Sequence, residues 1–170
     1  MPLHRTAAAD MNRSLDALTS DFKPLAIELI ARLVERGVQP LIVQTLRTLE
    51  EHRVNLANGT SRTARSKHLP RKMRGFDSGT ADDGKADAID LCPYLVYTLA
   101  PGGDKLSWDT ATPPARAAWS AIGEVAEMLG LRWGGRWESP RDYGHAELVF
   151  VEHDGGRLAA ERARPWPLQV

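Results

Sequence analysis

The sequence predicts an α+β fold, a small antiparallel sheet with helices packed on it. Apolar residues recur at three- and four-residue spacing in two long segments, and short apolar stretches separate those segments. The regular strand–helix–strand spacing of a doubly wound parallel sheet is absent. A chain of 170 residues has the length of one domain. We therefore predict a single domain over 1–170, with an N-terminal arm (1–19), an inserted loop (69–85) and a flexible tail (153–170).

The first half of the chain predicts two helices with one strand between them. Apolar spacing predicts a helix over 20–37, with Ser20 or Asp21 as its cap. A run rich in β-branched residues predicts a strand over 41–46. The sequence Thr-Leu-Glu-Glu that follows has the spacing of a capping box, which predicts a short helix over 48–57.

The second half predicts three strands and the longest helix. A short apolar run predicts a strand over 86–91, and a Pro-Gly-Gly sequence predicts a turn at 101–103. A threonine followed by proline starts a helix predicted over 112–130. Two more strands are predicted over 131–133 and 145–151.

Composition and charge exclude several classes of protein. The 22 basic and 22 acidic side chains cancel, so no whole-chain charge attracts nucleic acid. The single cysteine excludes an intramolecular disulfide framework and a zinc site made only of thiolates. No run of about 18 apolar residues is present, which excludes a membrane span. The N-terminus lacks the apolar region of a secretory signal. We expect a monomer with no nucleic-acid partner and no stable membrane insertion.

Two histidines and an aspartate are the residues best suited to metal chemistry. His68, Asp90 and His145 offer two imidazoles and a carboxylate, a ligand set that suits a catalytic zinc with a fourth position open to water. Alternation along the last predicted strand places Glu147 on the same face as His145. Taken singly these signals are weak, because a lone histidine is more often a hydrogen-bonded or surface residue and no H-E-x-x-H spacing is present. The residues alone leave a zinc site and an ordinary structural role both open.

Four motifs in a fixed order resemble those of a family of zinc peptidases. They are S-x-H at 66–68, G-x-A-x-A-x-D-L at 84–91, W-G-G-x-W at 133–137 and D-x-x-H at 142–145. The chain looks like the family that comprises D-alanyl-D-alanine carboxypeptidases and bacteriophage L-alanyl-D-glutamate endopeptidases (endolysins), from about 37 to 149. The resemblance implies the D-Ala-D-Ala metallopeptidase or hedgehog-type fold, with a zinc site on the face of the sheet.

The resemblance also implies a role for each matching residue. It implies that His68, Asp90 and His145 bind zinc. Asp142 falls where the family has its catalytic carboxylate, and Arg47 falls where a guanidinium faces the scissile carbonyl.

Three further residues are implied to contact the substrate or to support the ligands: Ser66, Trp137 and Glu147. One ligand position has a competitor, since Asp87 lies three residues before Asp90. We prefer Asp90 because the family motif ends on it. Alternation along the strand places the two carboxylates on opposite faces and does not choose between them.

The activity that the resemblance implies is hydrolysis of the bond between L-Ala and D-Glu in the peptidoglycan stem peptide, by water at a zinc ion. The alternatives are a D-Ala-D-Ala carboxypeptidase or another D-centred wall peptidase, and a non-catalytic zinc-binding module of the same fold. A phage enzyme of this kind is expected to be made in the host cytoplasm without a signal peptide and to act on the cell wall after release.

The inserted loop departs from the family, which places its first histidine and its aspartate only a few residues apart. Here residues 69–89 separate them. The basic, glycine-punctuated composition fits a solvated surface loop. A second interpretation is a lid over the cleft, with Met73 and Phe76 as its apolar contacts. A third is a regulatory loop that binds a hard cation such as calcium through three aspartates: Asp77, Asp82 and Asp83.

Overall fold

A four-stranded antiparallel sheet forms the centre of the fold. The computed structural model describes residues 11–94, 97–99, 106–152 and 158–160. In spatial order the sheet consists of β1 (Pro40–Gln44), β2 (Ala88–Pro93), β6 (His145–Glu147) and β5 (Arg132–Trp133). Two further antiparallel pairs are β3 (Tyr97–Leu99) with β4 (Leu106–Trp108), and β7 (Phe150–Glu152) with β8 (Leu158–Ala160).

Three helices accompany the sheet: α1 (Lys23–Glu35), α2 (Leu49–Ala57) and α3 (Pro113–Met128). α1 and α3 pack against each other and share one hydrophobic core with the sheet. Ile89 of β2 lies directly opposite Ala146 of β6, and both are fully buried in that core. Because side chains alternate along a strand, the neighbouring Asp90 and His145 lie on the other face of the sheet. The α+β architecture predicted from the sequence is confirmed, and Asp90 and His145 lie on the face opposite to Ile89 and Ala146.

The start of α1 differs from the prediction. The helix begins at Lys23, and neither predicted cap, Ser20 or Asp21, occupies its N-cap position. The backbone N–H of Ser20 donates to Asp82 Oδ1 at 3.0 Å instead. The segment before the helix is therefore used to join the N-terminal region to the inserted loop.

The other two helices begin as predicted. In α2 the hydroxyl of Thr48 accepts a hydrogen bond from the N–H of Glu51 at 3.2 Å, and Glu51 Oε2 accepts one from the N–H of Thr48 at 2.6 Å. This confirms the predicted capping box. Thr112 is the N-cap of α3, but the Asp109 carboxylate takes over the cap's work by accepting the N–H of Thr112 at 3.2 Å.

Three predicted strands have different ends in the structure. The strand predicted over 41–46 stops at Gln44, because the backbone of Thr45 bonds elsewhere, its N–H donating to the carbonyl of Asn12 at 2.7 Å. The strand predicted over 86–91 runs two residues later, and Ala86 instead forms a parallel bridge with Leu18. The single strand predicted over 145–151 is wrong, because the chain leaves the sheet after Glu147 and pairs again only as β7.

The described parts of the predicted arm and tail include buried residues and a strand. The arm predicted over 1–19 is too long, because Leu18 and Thr19 are fully buried. Part of the predicted tail forms β8. The predictions that concern 1–10, 101–103, 153–157 and 161–170 lie outside the described residues. Within the described part of the chain, no helix has both the length and the apolar character needed to cross a membrane.

Gly123 of α3 gives a test of how the helix packs on the sheet. A Cβ at this position would lie 2.4 Å from Cε3 of Trp133, whose indole N–H is fixed on the carbonyl of Tyr143 at 2.8 Å. We expect Gly123→Ala to lower the free energy of unfolding by about 1–2 kcal/mol, since overpacking outweighs the gain in helix propensity. Urea unfolding measures it. Ser120→Ala, exposed on the same helix, serves as control and should be neutral or slightly stabilising; equal behaviour of the two variants would contradict this packing.

Candidate metal centre

Three candidate ligand atoms converge on the face of the sheet that carries Asp90 and His145. His68 Nε2 lies 3.0 Å from Asp90 Oδ1 and 3.3 Å from His145 Nδ1, and His145 Nδ1 lies 3.0 Å from Asp90 Oδ1. Within the described residues, this is the group of histidine, cysteine and carboxylate side chains whose atoms lie close enough together to hold a metal ion. All three residues are ones that the sequence analysis selected.

Strand register brings two of the three together. Asp90 and His145 are direct partners in the antiparallel pairing of β2 with β6, so their side chains leave the same face side by side. His145 is buried and Asp90 is partly exposed. The open side of Asp90 leaves the cluster accessible from solvent.

His68 reaches the cluster from a loop, and backbone groups fix its position. Its Nδ1 lies 2.6 Å from the carbonyl oxygen of Thr45, at the end of β1. Since a carbonyl only accepts, Nδ1 carries the proton and Nε2 presents its lone pair to the cluster. The carbonyl of His68 in turn accepts the N–H of Arg47 at 2.9 Å. The end of β1 thus sets the tautomer of the first histidine.

The ring of His145 is oriented by Glu147. Its Nε2 lies 2.9 Å from Glu147 Oε2, which leaves Nδ1 to face Asp90. A carboxylate that accepts from the far nitrogen of a histidine is the usual outer support of a metal ligand. Lys67 and Arg132 lie 3.6 Å and 3.2 Å from Glu147 Oε1. The Trp137 ring packs on His145 with 5.0 Å between the ring centroids.

The charges of the site favour an ionised carboxylate. Burial alone would raise the pKa of Asp90, but the two neighbouring imidazoles outweigh burial and hold that pKa well below its ordinary value. Burial also lowers the pKa of His145, yet hydrogen bonds to Asp90 and Glu147 raise it to about 10. A metal ion between the three residues would have to displace the proton on His145 Nδ1, which couples its binding to pH.

The spacing of the three atoms fits tetrahedral zinc. Ligand atoms about 2.0–2.1 Å from a tetrahedral zinc lie roughly 3.3 Å from one another. The three observed separations are 3.0, 3.0 and 3.3 Å. Two imidazoles with one carboxylate is also a donor set that catalytic zinc sites use, with a fourth position left free.

Asp142 lies beside the cluster on the turn that leads into β6. Its N–H donates to the carbonyl of Gly134 at 3.1 Å, and its own carbonyl accepts the N–H of His145 at 3.2 Å. The backbones of Gly134 and Asp142 lie so close together that a Cβ at Gly134 would be 2.5 Å from the carbonyl oxygen of Asp142. Loss of solvation raises the pKa of the Asp142 carboxyl above its ordinary value, and the negative charge of Asp90 raises that pKa further. A raised pKa suits a group that both takes up and returns a proton.

Arg47 and Ser66 flank the first histidine. The guanidinium of Arg47 donates from Nε and Nη2 to Gln44 Oε1 at 2.9 and 2.6 Å, which fixes its orientation. Ser66 is buried, and its hydroxyl accepts the N–H of His68 at 3.4 Å, so it shapes the turn that carries the histidine.

Asp87, the competing ligand, lies on the other face of β2 and outside the cluster. Its carboxylate is fully buried and accepts two hydrogen bonds from Arg71, each 2.9 Å, and one from Thr19 at 2.6 Å. Arg74 donates to the same carboxylate. The backbone N–H of Asp87 donates to the carbonyl of Lys67 at 2.9 Å, one residue before the first histidine. Asp87 therefore anchors the inserted loop beneath the site.

The inserted loop is anchored, and it does not form the predicted calcium site. Arg71 and Arg74 are buried, and two 3-10 turns (Arg71–Arg74 and Ala81–Gly84) lie within the loop. Asp82 accepts from Ser20, and the carboxylate of Asp83 accepts the N–H groups of Ser78, Gly79 and Thr80. The Ser78 hydroxyl, which also donates to Asp83 Oδ1 at 2.6 Å, and these N–H groups together lower the pKa of Asp83 to about 2. Among the described residues, Asp77, Asp82 and Asp83 do not form a group of three whose ligand atoms converge, so the calcium interpretation is not supported.

Several residues of the site were not identified from the sequence. Gln44 holds Arg47, and the three-residue spacing between them was the available signal. Thr45 acts through its backbone carbonyl, which a sequence motif does not reveal. Asp87 was considered only as a ligand, although two arginines in the insertion, at 71 and 74, indicate that a buried carboxylate is needed there.

One protein family and two known proteins are similar to this chain. The family model of D-alanyl-D-alanine carboxypeptidase matches residues 85–148, a segment that starts at the end of the insertion. The L-alanyl-D-glutamate peptidase of Escherichia phage T5 is 30% identical over 125 residues, which cover 69% of this chain and 72% of that relative. The crystal structure of the Serratia marcescens L-Ala D-Glu endopeptidase ChiX aligns with 86% of this chain and 89% of that one, at 20% identity and a TM-score of 0.49.

Asp87→Asn tests the anchor beneath the site. The change leaves Arg71 and Arg74 buried against a neutral side chain, so we expect the free energy of unfolding to fall by about 3–5 kcal/mol. Urea denaturation measures the loss. Asp16→Asn is the matched control, because Asp16 pairs with Lys23 on the surface with 84% of its side chain exposed; that variant should unfold like the parent. A stability of Asp87→Asn close to that of the control would show that the ion pairs of Asp87 with Arg71 and Arg74 do not stabilise the fold.

Proposed function

Because the chain belongs to the family of D-alanyl-D-alanine carboxypeptidases and L-alanyl-D-glutamate peptidases and is a peptidase, we propose that it uses zinc to hydrolyse the L-Ala–D-Glu bond of the peptidoglycan stem peptide. The observation that carries the zinc proposal is the triangle of His68 Nε2, Asp90 Oδ1 and His145 Nδ1, with separations of 3.0–3.3 Å. The choice of bond rests on the relative from Escherichia phage T5, whose name gives that bond.

His68, Asp90 and His145 would hold the ion, and their surroundings prepare them for it. Thr45 and Glu147 accept hydrogen bonds from the far nitrogens of the two histidines, which orients the near nitrogens toward the ion. When bound, zinc supplies Lewis acidity and allows water to attack a peptide bond near neutral pH.

Asp142 is assigned as general base and then general acid. Its carboxylate accepts a proton from the attacking water as the C–O bond forms. The same carboxyl group then donates that proton to the amine nitrogen as the C–N bond breaks. The raised pKa of Asp142 supports both halves of this role.

Arg47 is assigned to the carbonyl oxygen of the scissile bond. That oxygen gains negative charge as its carbon becomes tetrahedral, and a fixed guanidinium stabilises the charge. Gln44 holds Nε and Nη2 of Arg47, and Arg47 still has a donor at Nη1 for the substrate. Ser66, Trp137 and Glu147 support the ligands.

We also propose that the protein is an endolysin, made in the host cytoplasm and acting on the cell wall after release. The phage origin of the T5 relative supports this role. A second candidate is a carboxypeptidase that removes D-Ala from D-Ala-D-Ala, which the description of the matching family model favours. A non-catalytic metal-binding module is the third, and Asp142 beside the cluster argues for an enzyme instead.

Asp142→Asn separates catalysis from metal binding. The amide cannot take up the water proton, so we expect turnover to fall about 10²–10⁴-fold, while zinc content stays at one ion per chain. His145→Ala should lose both zinc and activity. Elemental analysis and hydrolysis rates of the purified variants measure these effects, with Asp77→Asn, an exposed aspartate, as the control that keeps both. Full activity of Asp142→Asn would remove the base assignment.

Lysis of bacteria with a permeabilised outer membrane tests the function as a whole. We expect lysis that a chelator abolishes and added zinc restores, because the proposed mechanism requires the bound ion. Mass spectrometry of the digested wall should detect fragments with a new N-terminal D-Glu. Released D-Ala would favour the carboxypeptidase instead, and no lysis under either condition would favour the binding module.

A further inference from the structure

A pocket beside Asp142 has a cation at its rim and aromatic rings in its wall. It is lined by Thr110, Trp119, Arg141, Asp142, Tyr143 and Gly144. Gly144 immediately precedes the ligand His145, and Asp142 borders both the pocket and the metal cluster. A molecule in this pocket would therefore lie next to the group assigned to protonate the leaving amine.

The walls of the pocket are held firmly. The Trp119 and Tyr143 rings lie with centroids 6.2 Å apart, and Tyr143 also packs on Trp133 at 6.0 Å. The indole N–H of Trp119 donates to the carbonyl of Asp109 at 2.8 Å, and that of Trp133 to the carbonyl of Tyr143 at the same distance. Such a wall does not need to reorganise when a ligand enters, which lowers the cost of binding.

Arg141 is the charged residue at the rim that the mechanism does not use. Its side chain is exposed, and it makes no hydrogen bond or ion pair within the described part of the chain. Most other arginines near the site are committed: Arg47 to Gln44, Arg71 and Arg74 to Asp87, and Arg132 to Glu147. A guanidinium with free donors beside a pocket is suited to a planar anion, above all a carboxylate.

The chemistry of the substrate supplies such a carboxylate on the matching side of the bond. Glutamate has two carboxyl groups, and only one can continue the chain after an L-Ala–D-Glu bond, so the other is free on the residue that leaves. In the D-Ala-D-Ala alternative the leaving residue carries the terminal carboxylate. Both candidate substrates therefore present an anion one residue beyond the scissile bond, on the side of the leaving amine that Asp142 protonates.

We propose that Arg141 binds this free carboxylate of the leaving residue, with that residue in the pocket walled by Trp119 and Tyr143. The inference rests on the proposed function, because it takes Asp142 as the group beside the leaving amine. Arg141 is a substrate-binding residue that makes the enzyme selective for a negative charge on the residue after the scissile bond. It discriminates a wall peptide with free D-glutamate from one in which that carboxylate is amidated.

Two synthetic peptides that differ only at this group test the proposal on the zinc-loaded full chain. One has D-glutamate after the scissile bond, and the other has D-isoglutamine, its amide. We expect kcat/KM of the parent protein to be about ten- to a hundred-fold higher for the acid, the range that a hydrogen bond to a charged group gives. Arg141→Met should lose that preference by losing rate on the acid alone, and Arg141→Lys should keep part of it.

Arg32→Met is the matched control, because Arg32 lies on α1 and pairs with Glu28 away from the site; it should keep the preference of the parent. Binding of both peptides to Asp142→Asn by calorimetry should reproduce the discrimination without turnover. Equal rates of the parent protein on both peptides, or an equal loss on both in Arg141→Met, would overturn the role of Arg141 while the peptidase proposal stands. Cleavage of neither peptide by the parent would overturn the proposed function and this inference with it.

Discussion

The site depends on the pairing of Asp90 with His145 across β2 and β6. Because side chains alternate along a strand, a slip of one residue in this register would turn Asp90 into the apolar core and bring Ile89 to the site. The core prevents that slip, since Ile89 and Ala146 form the next cross-strand pair and are fully buried. The same register that buries the apolar side chains therefore places two proposed ligands side by side.

The third proposed ligand, His68, comes from outside the sheet, so its position needs separate restraints. Thr45 holds the ring of His68, and Asp87 holds the backbone just before it through the carbonyl of Lys67. Asp87 also binds the two arginines of the inserted loop on the opposite face of β2. One strand thus carries a ligand on one face and the anchor of the neighbouring loop on the other. This explains how the chain accommodates an insertion between His68 and Asp90 without separating them in space.

Local signals predicted the parts of the fold that local interactions determine. The capping box at Thr48 was identified because its hydrogen bonds join residues three positions apart, and the helix start at Thr112 because proline follows it in the first turn. Strand ends were misplaced where a long-range contact decides them, as at Thr45, which bonds to Asn12 and His68. Family motifs indicated His68, Asp90 and His145, but Asp87 needed the structure, because its partners belong to an insertion that the motifs do not cover. Arg141 was missed because its role depends on a pocket and not on spacing.

The proposed chemistry requires that three atoms, from a loop and two strands, bind a single zinc ion. Anomalous diffraction from crystals of the zinc-loaded protein, recorded on both sides of the zinc absorption edge, tests this claim most directly. We expect one ion per chain, bound by His68 Nε2, Asp90 Oδ1 and His145 Nδ1, with Asp87 still paired to Arg71. An ion bound through Asp87 or through Nε2 of His145, or no ion between the three atoms, would contradict it.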